Sequence, residues 1–196
     1  MGVRWEKTPQ FFDSVVSAMQ GMSWRTELMI EEIPAPGKIA PYSVAIAAEL
    51  SIGDDEVGNG QLVLLYNPDG NESWDGEFRC VTFSRSDVDP EMVADPLLVD
   101  VGWSWLLDAL ERNLASYTAP SGTVTAVSSK SHGAIGDQPK RSEVELRASW
   151  TPVIDHPGQI TSHLQAWSEL LCQTGGLPPL PEGVVPISRR IAAWNH

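Results

Sequence analysis

The chain has 196 residues, 42% of them hydrophobic, and carries 26 acidic against 13 basic side chains for a net charge of −13. That length suits a domain that buries a core without metals or disulfides, and the composition excludes a disordered chain. The acidic balance argues against direct binding to nucleic acid or anionic lipid, both of which draw on Lys and Arg.

Thr8-Pro9 predicts a helix start; the helix carries Phe11, Phe12, Val15, Val16 and Met19 and ends at Gly21. Extended segments are predicted at Glu27–Ile33, Tyr42–Ile52, Gln61–Tyr66 and Glu77–Ser84. Gly58-Asn59-Gly60 and Asn67-Pro68-Asp69-Gly70 have the composition of tight turns between antiparallel strands. Four strands in succession with short joins exclude an alternating parallel α/β sheet.

Asp89-Pro90 opens a short helical turn that Asp95-Pro96 stops, and a main helix is predicted from about Val101 to Leu114. Trp103, Leu106, Leu107, Leu110 and Leu114 have the spacing of a core-facing stripe. At 3.6 residues per turn, Trp105 falls roughly 160° from that stripe, on the side of Val101, Asp108 and Arg112. Two more strands are expected, at Gly122–Lys130 and Ser142–Pro152, joined by a polar loop. In the second, Val144, Leu146, Ala148 and Trp150 alternate with Glu143, Glu145, Arg147 and Ser149, the mark of an antiparallel strand with one wet face. A last helix spans about Gly158 to Gln173 on an Ile160, Leu164, Trp167 and Leu171 stripe, before Gly175-Gly176. The tail from Leu177 to Pro181 reads as polyproline-like and packs on the body through its leucines.

Residues 1–176 are thus expected to form an α+β domain, with residues 177–196 as a proline-rich tail packed on it. The expected sheet is antiparallel, of about five or six strands, with helices mainly on one face. The order of elements from Leu106 to Leu171 resembles the type III secretion chaperone-like fold, a likeness that concerns fold alone.

No Gly-x-Ser-x-Gly elbow, phosphate-binding loop or His-Glu-x-x-His occurs, so no catalytic residue is assigned. Asn67, Asp69, Asn71 and Asp75 loosely resemble a calcium loop, but Glu72 stands where that loop requires glycine; a polar turn is the better reading. His163 shares a stripe with Ile160 and Trp167 and reads as a core or boundary histidine. Neither a metal site nor a cofactor is expected. Asp89, Glu91, Asp95 and Asp100 cluster in sequence, and capping or solvation accounts for them. Cys80 and Cys172, far apart and outside any Cys-x-x-Cys spacing, read as buried thiols in a reducing compartment.

Trp74 and Trp105 fit a core role less easily than the other tryptophans. Tryptophan and arginine are enriched at binding hot spots, so Trp105, Arg112, Asp108 and Trp74 are the candidate binding residues. Met1 to Glu6 lacks the apolar run of a signal peptide, and no segment is apolar enough to span a bilayer; a cytoplasmic location is expected.

Several segments together resemble a known family: Glu31-Glu32-Ile33-Pro34-Ala35-Pro36, Leu62-Val63-Leu64-Leu65, and Trp74-Asp75-Gly76 with Phe78-Arg79. Asp95-Pro96-Leu97-Leu98, Val101-Gly102-Trp103-Ser104-Trp105, Arg147-Ala148-Ser149-Trp150-Thr151-Pro152 and Gly176-Leu177-Pro178-Pro179-Leu180-Pro181 complete the set. They look like the actinobacterial "domain of unknown function 3000" family, across nearly the whole chain. The resemblance implies an uncharacterised cytoplasmic protein whose genes neighbour a ribonuclease D-like gene, and carries over no functional residues. The leading expectation is a non-enzymatic protein-binding module, chaperone-like or adaptor-like, with a protein partner or as a homodimer. One alternative is a small-molecule enzyme or ligand-binding protein gathering Asp95, Asp100 and Trp105 with Arg112 or His163. Another is an accessory factor in RNA metabolism that acts through a protein partner.

Overall fold

The computed structural model describes residues 9–178. Helix α1 (Pro9–Gln20) leads into β1 (Leu28–Ile33), β2 (Tyr42–Ile52), β3 (Asp55–Asn71) and β4 (Gly76–Asp87). A short α2 (Pro90–Ala94) and α3 (Leu98–Arg112) follow, then β5 (Tyr117–Ser129), β6 (Arg141–Pro152) and α4 (Ile160–Thr174). All six strands join one antiparallel sheet in the order β1-β2-β3-β4-β6-β5. The architecture is α+β, as the strand run and the three longer helices imply.

Alternation along the strands sends Ile46, Leu64, Cys80, Leu146 and Trp150 to one face of the sheet, where each is at most 1% exposed. There they share a core with Val15 of α1, Leu106 and Leu110 of α3, and Leu164 and Trp167 of α4. Burying each such side chain is worth about 1.5–3 kcal/mol, which fixes the register of every strand that contributes one. Trp167 donates its indole N–H to Thr82 Oγ1 at 2.8 Å, and that hydroxyl donates to the Gln61 carbonyl at 2.8 Å. This chain fastens α4 to β4 and β3 while leaving neither buried polar group unpaired. Among the described residues none covers the middle of the opposite face, where Val81 is 39% exposed.

Both expected turns of the first hairpins move. The β2–β3 hairpin closes at Gly53-Asp54, between paired Ile52 and Asp55, with Gly53 at φ 65°. Gly58-Asn59-Gly60 lies inside β3 instead, because α4 presses on it: a Cβ on Gly60 would lie 2.6 Å from Leu171 Cδ2. Asn67 to Gly70 forms an excursion in β3 held by Asn67 Nδ2 donating to the Gly70 carbonyl at 2.7 Å. The β3–β4 reversal comes later, across residues 72–75 between paired Asn71 and Gly76.

The register of α3 also differs from the expected stripe. Its buried residues are Leu98, Gly102, Leu106, Ala109 and Leu110, and both Trp103 and Trp105 are half-buried. Leu114, expected in the core, is 89% exposed at φ 53°. It ends the helix: Ala115 N–H reaches the Leu110 carbonyl at 2.9 Å and Leu114 N–H reaches that of Glu111 at 3.0 Å. That is a Schellman stop with leucine where glycine is usual. The capping residue expected at Thr8 and the tail beyond Pro178 lie outside the described residues. Leu177 packs against the core, and Arg25 Nη1 donates to the Pro178 carbonyl at 3.1 Å.

Candidate functional site

On β4, Phe78, Cys80 and Thr82 point into the core, so Arg79, Val81 and Phe83 take the bare face. Registered pairs extend a row across the sheet, from Val63 on β3 to Val81, then Ser149 on β6 and Ser121 on β5. A concavity of about 400 Å³ lies here, with Val63, Val81 and Phe83 as apolar floor and Ser121, Ser149 and Arg147 as polar wall. The Arg147 guanidinium stands 5.1 Å from the centre of the Phe83 ring, a cation–π arrangement.

Behind the wall is Arg79, only 8% exposed. Its Nη1 donates to the Ala119 carbonyl and to Thr151 Oγ1, both at 2.9 Å; its Nη2 donates to Ser149 Oγ at 2.7 Å and Ser121 Oγ at 3.1 Å. The carbonyl is available because β5 shifts register between Thr118 and Ser121, next to Pro120, which has no N–H for the ladder. Ala119 takes φ 47° in that irregularity, a left-handed conformation costly for a non-glycine residue. Burial pulls the Arg79 pKa down from its ordinary value, with Cys80 opposing the shift. Thr151 in turn donates to the Trp74 carbonyl.

The outer side of β5 is the second exposed feature. Among the described residues β5 pairs with β6 alone, so one row of its backbone N–H and C=O groups faces outward. Gly122 to Ser129 contains neither charge nor proline.

The residues singled out from sequence do not form one site. Trp105 packs against the core and shares its side of α3 with Arg112, seven residues on. Arg112 Nε bonds Glu169 Oε1 of α4 at 2.7 Å, and its Nη2 reaches Gln173 at 3.3 Å. Trp105, set roughly 160° from the expected stripe, is half-buried because that side of α3 meets α4. Asp108 is exposed, and Trp74 is half-buried with its carbonyl tied to the Arg79 network. Nor does the alternative cluster assemble. Asp100 and Arg112 stand in the first and last turns of α3, roughly 18 Å apart along the axis. Asp95 caps locally, its Oδ1 accepting from Leu97 N–H at 2.9 Å. His163 is 1% exposed, inside the core.

Both cysteines and His163 are enclosed, whereas His132 and His156 are exposed. Burial pushes the thiols of Cys80 and Cys172 upward, that of Cys172 to about 12, so neither carries thiolate at neutral pH. Burial lowers His163 to about 4, and its Nδ1 accepts from Trp150 Nε1 at 3.1 Å, which places the ring proton on Nε2. Among the described residues no three His, Cys, Asp or Glu side chains are grouped to hold a metal ion. No helix among them is long and apolar enough to cross a membrane.

Reading from sequence missed Arg79, Ser121 and the apolar floor. The available signal was β4 itself, where Val81 and Phe83 interrupt a face that should be uniformly polar. The chain matches the family described as "Protein of unknown function (DUF3000)" over residues 8–185. No curated protein and no solved structure matches it.

Proposed function

The chain belongs to the DUF3000 family of unknown function, and we propose that it is a non-enzymatic, adaptor-like binding module that receives an extended protein segment along β5. The observation that carries this reading is the outer edge of β5 between Gly122 and Ser129. An extended peptide adds to such an edge through main-chain hydrogen bonds, which supply affinity whatever the side chains are. The edge from Gly122 to Ser129 itself carries no charge, so an incoming strand meets no like-charge contact in the ladder, while the net charge of −13 disfavours acidic partners at longer range. Enclosure of Cys80, Cys172 and His163 supports binding over catalysis, since none of the three faces a substrate. Two buried free thiols accord with work in the cytoplasm.

The test is a photo-crosslinking residue introduced in living cells at Thr125, on β5, or at Asp108, on α3. A discrete adduct with one other protein from Thr125 alone is expected. Adding that protein to the purified chain should then slow hydrogen exchange at the amides of residues 122–129. Adducts from Asp108 alone would return the site to α3 and overturn the edge reading. Adducts joining two copies of this chain through Thr125 would overturn the adaptor reading in favour of self-association.

A further inference from the structure

Arg79 differs from every other arginine among the described residues. Arg25 pairs with Glu27, Arg85 and Arg141 with Glu143, Arg112 with Glu169, and Arg147 with Glu145. Arg79 is among the most enclosed of them and alone has no carboxylate; its four bonds go to a carbonyl and three hydroxyls. A guanidinium removed from water without a counter-charge is costly, and hydroxyls compensate only part of that cost.

The protons of this network can be followed. Thr151, Ser149 and Ser121 each accept from Arg79, so each must direct its own hydroxyl proton elsewhere. Thr151 sends its proton to the Trp74 carbonyl. Ser121 Oγ and Ser149 Oγ are 3.2 Å apart, close enough for one to donate to the other. The second hydroxyl proton then has no acceptor within this network and is free to face the concavity that both serines line. Arg147 adds further N–H donors on the same wall, and among the described residues none that lines the concavity is acidic although the chain has 26 Asp and Glu. The polar wall is thus rich in donors, backed by an uncompensated positive charge, above an apolar floor.

From this charge complementarity we infer that the bare face binds a small molecule with an apolar body and a carboxylate group. The carboxylate accepts from the Ser121/Ser149 hydroxyls and from Arg147 and supplies the counter-charge that Arg79 lacks, while the body lies on Val63, Val81 and Phe83. A volume of about 400 Å³ is near the lower end for ligand cavities and suits a short aliphatic chain or a single ring system. The inference does not depend on the reading of the β5 edge, because it concerns the face of the sheet and a different class of ligand.

Arg79 also ties β4 to β5 and β6 at the irregularity, and a purely structural strap would show no preference among ligands. The experiment exploits that difference. The full chain, with methyl-labelled valine, is titrated with decanoate and 4-phenylbutyrate and with decan-1-ol and 4-phenylbutyramide as shape-matched neutral compounds. Saturable shifts of the Val63 and Val81 signals are expected, with the carboxylates binding at least tenfold more tightly than their neutral counterparts. Ser149→Ala and Arg147→Gln should each weaken binding of the carboxylates several-fold more than binding of the neutral compounds, erasing most of that preference. Unlike Arg79→Gln, both retain the guanidinium that fastens the strands. Equal affinity for carboxylates and neutral compounds, or no saturable shift at Val63 and Val81 with any of the four, would overturn the inference.

Discussion

Trp150 of β6 and His163 of α4 meet inside the core, the indole N–H donating to imidazole Nδ1 across 3.1 Å. The bond requires a neutral ring, and burial holds the His163 pKa at about 4 against an ordinary value of 6.5. The unfolded chain therefore takes up a proton that the folded chain refuses. His163 leaves stability untouched above pH 6.5 and subtracts from it as pH falls from 6.5 toward 4, by about 3 kcal/mol in all. His163→Gln retains an acceptor for Trp150 and removes the titration. Urea unfolding between pH 4 and 7 should give a steeper loss for the native chain than for this variant. Parallel curves would contradict the buried neutral ring.

Tyr66 offers a complementary case. It is completely buried, stacked on Phe78 at 4.4 Å and parallel to Phe12 at 5.6 Å, and its hydroxyl has no hydrogen-bond partner among the described residues. Burial pushes its pKa up to about 12. Tyr66→Phe keeps the stacking and removes an unsatisfied polar atom, so stability should be unchanged or rise by about 1 kcal/mol. A loss of that size in chemical denaturation would mean that the hydroxyl is bonded.

Leu114→Gly should stabilise the chain. The leucine side chain is almost wholly exposed and contributes little burial, while its left-handed backbone at the end of α3 costs roughly 1–2 kcal/mol that glycine does not incur. A melting temperature raised by a few degrees is expected. An unchanged or lower one would show that Leu114 makes contacts that offset the strain.

Gly122→Ala should do the reverse. Its Cβ would stand 2.8 Å from Cζ3 of Trp103 and closer still to the Arg147 carbonyl, neither of which can swing away cheaply. Overpacking of this kind costs about 1–3 kcal/mol. A variant as stable as the native chain would show that both α3 and the β5–β6 ladder can shift to admit the methyl group.

For Trp105, the half-buried packing between α3 and the core predicts a folding role. Trp105→Ala should lower stability by about 1–3 kcal/mol, and Trp105→Phe should recover most of it. Full stability in the alanine variant would separate the ring from the core and revive α3 as a recognition surface.

These cases also show what the chain discloses before it folds. The alternation of β6 and the stripe of α4 were plain in the sequence because each follows one period over ten or more residues without interruption. Leu114 misled because it continues the period of α3 arithmetically, whereas a helix stop is set by backbone geometry that the period does not encode. Gly58-Asn59-Gly60 misled because glycine serves two needs: here it admits α4 close to β3 rather than turning the chain. Trp105 misled because α3 is covered on two sides, by the sheet and by α4, so one apolar stripe understates what it buries. The Arg79 network was invisible for a different reason. It joins residues up to 77 positions apart through single hydrogen bonds, and in a strand a lone arginine has the appearance of any solvated side chain.

The uncharged outer edge of β5 has a consequence for the behaviour of the protein in solution. Many sheet edges are kept apart by lysines or prolines set within the strand; between Gly122 and Ser129 this one has neither. Mutual repulsion of the acidic surfaces takes over that duty, and it does so at a distance rather than by contact. Such repulsion extends over about 10 Å at 0.1 M salt and about 3 Å at 1 M. Concentrated salt removes the guard without touching the strand, so the chain should cluster as ionic strength rises, contrary to a protein held together by ion pairs. Dilute buffer is the condition that keeps it dispersed.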